Sequence, residues 1–87
     1  MAWKTQFEKA ALKQLKKIDK KQQQRIVAFL SKAQILEDPR SDGKALTGQY
    51  KGLWRYRVGM YRIICELKDD VAIILVIEAG HRGEIYR

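Results

Sequence analysis

The chain has 87 residues and a formal net charge of +8, because 18 lysines and arginines outnumber 10 aspartates and glutamates. This length predicts one domain over residues 1–87, and 46% hydrophobic residues is too high for a disordered chain. The longest apolar run, residues 71–77, is far shorter than the roughly 20 residues of a membrane span. A lone cysteine excludes an internal disulfide and a cysteine-based zinc site. We therefore expect a cytoplasmic domain without a membrane partner, whose positive charge is typical of a protein that binds a polyanion.

The N-terminal half of the sequence predicts a strand and two helices. Apolar and polar residues alternate over 3–7, which predicts a short first strand. Apolar residues then recur with helical spacing over 7–18. Asp19 is suited to cap a second helix over 20–36, which Pro39 ends because proline lacks a backbone donor and disfavours helix in the residue before it.

The C-terminal half predicts a loop and three strands. Glycines and polar residues over 41–52 indicate the loop. Residues 53–58, 61–67 and 71–79 are rich in β-branched and aromatic side chains, and the last segment is apolar on both faces, as in an interior strand. Gly59-Met60 fits a two-residue hairpin turn. The order β-α-α-β-β-β predicts an α+β domain with two N-terminal helices packed on one face of a small, mainly antiparallel sheet.

The predicted hairpin turn fixes which residues face each other on the first two of these strands. Val58 then pairs with Tyr61, and Arg57 lies directly opposite Arg62, with Arg55 two residues away on the same face. The other face is the predicted core. It carries Trp54, Tyr56, Val58, Tyr61, Ile63 and Cys65, of which the cysteine is inert filler.

The three strand arginines require negative partners, because like charges directly opposed on a sheet are unfavourable. Glu66 and Glu78 are the local candidates for a structural salt-bridge network. A phosphate-binding surface is the alternative that we favour, because the planar guanidinium suits bidentate phosphate contacts. Residues that touch RNA under this hypothesis are Lys44, Lys51, Arg55 and Arg57, although loop lysines are also ordinary solvated side chains.

Four residues near the C-terminus, His81, Arg82, Glu84 and Tyr86, add chemistry that RNA cleavage needs. Such cleavage requires a base for the 2′-hydroxyl, positive charge on the pentavalent phosphate and an acid for the leaving oxygen. Arginine stays protonated and cannot be the base. Each of the other three also has a structural interpretation: a surface histidine, a glutamate paired with Arg82 or Arg87, and a ring packed on the sheet. The sequence has no nucleotide-binding glycine loop, metal-ligand cluster or nucleophilic triad, so we expect no cofactor and no metal.

Several segments together resemble a known family. They are KALTG at 44–48, GLWRYRVG at 52–59, YRIIC at 61–65, and GHR with EIY within 80–86. The chain resembles the RelE/ParE superfamily of toxins, and RelE-type members most, over essentially its whole length. This resemblance implies a RelE-like fold and a toxin of a type II toxin–antitoxin pair.

For RelE-type members the resemblance implies a metal-independent endoribonuclease, or mRNA interferase. Such a toxin enters the ribosomal A site, beside 30S rRNA, and cleaves mRNA by attack of the 2′-hydroxyl on the phosphate, which inhibits translation. The important family positions correspond here to Arg55, Arg57, Arg62, Arg82 and Tyr86. The first two are arginines where the best-known member has lysines. The proton carrier stays open among Tyr86, His81 and Glu84.

The resemblance also implies a partner, and it leaves two alternative functions open. The implied partner is a cognate RelB-like antitoxin that wraps the toxin. The main alternative is a ParE-like toxin that inhibits DNA gyrase by protein binding, without RNase activity; such members usually lack the complete set of basic residues and tyrosine. A third hypothesis is a basic RNA-binding module without catalysis.

Overall fold

The structure, a computed structural model, describes residues 2–81. Within them lie the strands β1 (Lys4–Phe7), β2 (Lys44–Ala45), β3 (Trp54–Val58), β4 (Tyr61–Lys68) and β5 (Ile73–His81), and the helices α1 (Lys9–Lys16), α2 (Lys20–Leu30) and α3 (Ala33–Glu37). The sheet order is β1-β5-β4-β3-β2, in which β1 runs parallel to β5 and the other neighbours are antiparallel. The predicted α+β class and mainly antiparallel sheet are confirmed. None of the helices in this part of the chain is long and apolar enough to cross a membrane.

The β3–β4 hairpin has the register that the sequence predicts. Val58 pairs with Tyr61, and Arg57 pairs with Arg62. Gly59, the first of the two turn residues, has φ +59°, the left-handed value that a two-residue turn with glycine first requires. Side chains on the two strands are therefore sorted between the two faces of the sheet as expected.

The hydrophobic core lies between one face of the sheet and the helices. Its buried members are Ala11, Leu15, Ile26, Leu30, Ile35, Tyr56, Val58, Ile63, Cys65, Ile74, Val76 and Ala79. Full burial of Cys65 raises the pKa of its thiol, because an apolar surrounding disfavours the thiolate. The predicted place of this cysteine in the core is confirmed.

The predicted single helix over residues 20–36 is wrong, because the structure has two helices there. α2 ends at Leu30 and α3 begins at Ala33, with Lys32 between them in an extended conformation. Thr5 of β1 donates a hydrogen bond from its hydroxyl to the Leu30 carbonyl at 3.0 Å, which satisfies a carbonyl that the ended helix leaves open. Apolar residues keep helical spacing across the break, so the periodicity does not reveal it.

The turn after α3 is tied to the sheet by two aromatic side chains of β3. The buried Tyr56 hydroxyl donates a hydrogen bond to the Pro39 carbonyl. Trp54 donates from its indole Nε1 to the Asp42 carbonyl at 2.9 Å. Burial raises the pKa of Tyr56, so its hydroxyl keeps the proton that it donates. These contacts lead the chain into β2, whose Lys44 pairs with Arg55 of β3.

An ion pair holds the same turn from its outer side. Arg40 donates two hydrogen bonds to the two carboxylate oxygens of Asp69, at 2.8 and 3.0 Å. The pairing raises the pKa of Arg40 and lowers that of Asp69, because each charge favours the other. Both side chains are exposed, so the pair orients the turn more than it stabilises the fold.

We predict that Tyr56→Phe lowers the free energy of unfolding by about 1–3 kcal/mol, because it leaves the Pro39 carbonyl without its donor in a buried place. Urea unfolding followed by circular dichroism measures the change. Tyr61→Phe is the matched control, since this half-buried hydroxyl lies outside that contact and its loss should cost within about 0.5 kcal/mol. Equal losses in the two variants would contradict the anchoring role of Tyr56.

A second prediction concerns Gly43, which has φ +85° immediately before β2. A methyl group there would overlap the indole Nε1 of Trp54 and the carbonyl oxygen of Arg55. We expect Gly43→Ala to cost about 2–5 kcal/mol, from backbone strain and overpacking together. Gly52→Ala is the control: its φ is +95° but nothing lies within 4 Å of the added carbon, so it should cost only about 1–2 kcal/mol. Thermal unfolding of both variants tests this, and a smaller effect at Gly43 than at Gly52 would refute it.

Candidate nucleic-acid interface

A groove of about 540 Å³ lies on the sheet face opposite the helices. Basic side chains from three adjacent strands line it: Lys44 of β2, Arg55 of β3 and Arg62 of β4. The loop after β2 forms its other wall, with Thr47 and Tyr50 among the lining residues. The volume falls within the range of small-molecule sites and suits one or two nucleotides of a single strand.

Arg55 lies on the groove side of the sheet next to a buried apolar residue. It is directly opposite Ile64 on β4, and Ile64 is fully buried although it is outside the helix-side core. Opposed residues on a sheet have Cβ atoms about 4.5–5.5 Å apart, so the two side chains are neighbours on this face. Its Nε is buried and has no hydrogen-bond partner among residues 2–81. A buried guanidinium donor of this kind favours a bound anion.

Arg57 and Arg62 differ in their placement although they face each other across the hairpin. Arg62 is half-buried and lines the groove, whereas Arg57 is exposed and does not line it. The structure therefore brings Arg55 and Arg62 together with Lys44 and does not bring Arg57 into the groove. Lys51, the other lysine predicted to touch RNA, is exposed and does not line the groove.

A β-bulge separates His81 from the arginines. Cys65 of β4 pairs with Val76 and the preceding residue, Ile64, pairs with Glu78, so Ile77 is an extra residue in β5. The extra residue reverses the alternation of faces in the rest of the strand.

His81 consequently lies on the helix side of the sheet. It pairs with Tyr61, and their rings form an edge-to-face contact with centroids 5.8 Å apart. The two rings line a separate groove of about 670 Å³ beside Gln14, Lys17 and Asp19 at the end of α1. The predicted grouping of this histidine with the strand arginines does not occur in the structure.

The same bulge brings other residues of β5 to the arginine side. Glu78 lies opposite Ile64, in the row that also contains Arg55, and Gly80 lies opposite Arg62. Gly80 places no side chain opposite Arg62. The remaining predicted site residues, Arg82, Glu84 and Tyr86, lie outside the described residues.

Sequence reasoning missed two features of this groove. Strand β2 was predicted as part of a loop, because two paired residues give no periodic pattern. Tyr50 belongs to no periodic pattern, and its only sequence signal is an aromatic residue between Gly48 and Gly52 in a polar loop.

The chain matches one family of known proteins over most of its length. Residues 5–86 match the family described as ParE toxin of type II toxin-antitoxin system, parDE. No curated protein matches the chain in sequence.

Solved structures show the same fold. The toxin–antitoxin complex RelBE2 from Mycobacterium tuberculosis contains a chain with a TM-score of 0.82 and 21% identity, covering 94% of this chain and 100% of that chain. The isolated E. coli RelE toxin has a TM-score of 0.76 and 25% identity, over 98% of this chain and 92% of its own. A RelB–RelE complex from Methanococcus jannaschii has a TM-score of 0.69 and 27% identity, over 92% and 93%. The RelE-like fold expected from the sequence is confirmed.

The match covers nearly the whole chain, and the sheet order and helix placement agree with it. This protein therefore belongs to the ParE toxin family of type II toxin–antitoxin systems, within the RelE/ParE superfamily.

Proposed function

We propose that this toxin is an endoribonuclease that cleaves mRNA in the ribosomal A site and so inhibits translation. The observation that supports it is the groove in which Arg55, Arg62 and Lys44 converge from three strands. Two half-buried arginines and a lysine in one concavity form a site for a phosphodiester, and phosphate contacts dominate the affinity of proteins for RNA.

In the proposed reaction the 2′-oxygen of one nucleotide attacks the adjacent phosphorus. The bond from phosphorus to the 5′-oxygen of the next nucleotide breaks, which leaves a 2′,3′-cyclic phosphate and a 5′-hydroxyl. A base takes the proton from the 2′-hydroxyl and an acid returns one to the leaving oxygen. Arg55, Arg62 and Lys44 stabilise the extra negative charge of the pentavalent state, which needs no metal ion if the donors are already in place.

The proton carriers in this proposal come from the segment that follows β5. The ring of His81 lies on the helix side, so we do not assign it to this groove. Glu84 and Tyr86 remain our candidates, with Arg82 as a further phosphate ligand. Gly80, two residues before Arg82 in the sequence, pairs with Arg62 on the arginine face.

We further propose that the toxin pairs with a RelB-like antitoxin and acts on ribosomes, next to 30S rRNA. The neighbours from M. tuberculosis and M. jannaschii are toxin–antitoxin complexes. A net charge of +8 favours an acidic partner segment, and the same charge favours approach to ribosomal RNA.

One observation favours a second candidate function. The family that matches residues 5–86 carries the description of ParE toxins. Under this alternative the toxin inhibits DNA gyrase by binding it and has no RNase activity.

Primer extension on a defined mRNA separates these functions. We expect purified toxin to cut within A-site codons when programmed ribosomes are present and to leave free mRNA intact. The antitoxin-bound toxin is the control and should not cut. Absence of cuts from a folded toxin that still arrests growth would contradict the proposal, and inhibition of supercoiling by gyrase would then support the alternative.

Single arginine variants test the groove. We predict that Arg55→Ala and Arg62→Ala each lower the cleavage rate by about 10²–10³-fold, because each removes a donor from the developing charge. Arg57→Ala is the matched control on the same hairpin, and we expect a loss of about tenfold or less because Arg57 is exposed and does not line the groove. Circular dichroism shows whether each variant is folded. A loss at Arg57 equal to that at Arg62 would place the reaction outside the groove.

A further inference from the structure

We propose that Tyr50 forms a nucleobase subsite, on which a base beside the phosphate held by Arg55 and Arg62 stacks. The inference rests on the proposed function and adds to it a residue that positions the RNA. It assigns the two walls of the groove different tasks. The sheet wall binds the backbone of the strand, and the loop wall receives a base.

The position of the ring is the first argument. Tyr50 is half-buried and lines the same groove as Arg55 and Arg62. A half-buried aromatic residue that lines a groove together with two arginines is placed for contact with a ligand in that groove.

The backbone around Tyr50 is the second argument, because it is fixed on both sides. Tyr50 ends a short 3-10 turn that begins at Gly48, and its amide donates to the Thr47 carbonyl at 3.3 Å. Its own carbonyl accepts from the Leu53 amide at 3.1 Å, and Leu46 donates to the Leu53 carbonyl at 3.0 Å. The loop thus closes on itself at the start of β3. A ring presented by an ordered loop loses little conformational freedom when it binds.

The chemistry of single-stranded RNA is the third argument. Its unstacked bases bind aromatic side chains and guanidinium planes, while its phosphates bind basic groups. The groove presents both kinds of group within a volume of about 540 Å³. Stacking accepts every base, because each has a π-face, so this subsite holds the strand in place without demanding one sequence. A base held on Tyr50 restrains the adjoining sugar and phosphate, which favours in-line attack.

The test uses Tyr50→Leu, Tyr50→Phe and wild-type toxin on ribosomes whose A-site codon cannot be cleaved. The codon carries 2′-deoxy sugars and one 2-aminopurine, placed at each of the three positions in turn. This base loses fluorescence when it stacks. We expect wild-type and Tyr50→Phe toxin to quench one position alike, and Tyr50→Leu to bind roughly 5- to 150-fold more weakly with that quenching lost. Tyr61→Leu, a tyrosine on the opposite face of the sheet, should behave as wild type.

A salt titration separates stacking from a general structural effect. Removing Arg62 should reduce the slope of log affinity against log salt by about 0.7, the value for one phosphate contact on a single strand. Tyr50→Leu should leave that slope unchanged, because it removes no charge. Unaltered affinity and quenching in Tyr50→Leu, or a loss shared equally by Tyr50→Phe, would overturn the subsite. Failure of wild-type toxin to cut ordinary mRNA on ribosomes would instead overturn the proposed function.

Discussion

The register of the β3–β4 hairpin determines both the core and the candidate site. A shift of one residue would move every side chain to the other face, placing arginines against the helices and Tyr56 in solvent. The repulsion between Arg57 and Arg62 opposes the observed register by roughly 0.2–1 kcal/mol. Burial of side chains such as Tyr56 and Ile63 favours it by about 1.5–3 kcal/mol each. Burial of the core therefore outweighs the repulsion and keeps Arg57 opposite Arg62. As a result, positive charge is concentrated on this face of the sheet.

The bulge at Ile77 determines which residues of β5 face the core and which face the arginines. Ile74 and Val76 are buried in the core, and unbroken alternation would send Glu78 to the same place. A carboxylate there would lack both water and a partner, at a cost of several kcal/mol. The extra residue instead delivers Ala79 to the core and Glu78 to the arginine face. It also places Gly80, which has no side chain, opposite Arg62. His81 then lies on the helix side of the sheet.

The hairpin register and the bulge show which parts of the fold the sequence could predict and which it could not. The hairpin register was predictable because a two-residue turn and a one-sided apolar pattern both specify it. The break after Leu30 was not predictable from the sequence, since it depends on a hydrogen bond from Thr5, a residue 25 positions away. The side of the sheet on which His81 lies was not predictable either, because the bulge before it lies within a run that is apolar on both faces. The position of Tyr50 in the groove was not predictable, because it depends on the path of a loop and loops have no periodic sequence pattern.

The composition of the groove bears on why the proposed reaction would need the ribosome. Guanidinium and ammonium groups supply charge to the phosphate, but arginine does not exchange its proton at physiological pH. The two arginines of the groove thus stabilise the pentavalent state but cannot start the reaction, a step that the proposed function gives to Glu84 or Tyr86. A free strand would also bind in many conformations, few of which place the 2′-oxygen in line with the leaving oxygen. A ribosome that holds the codon in the in-line geometry removes part of this conformational entropy cost. In the proposed reaction the toxin contributes charge and proton carriers, and the ribosome contributes the geometry of the strand.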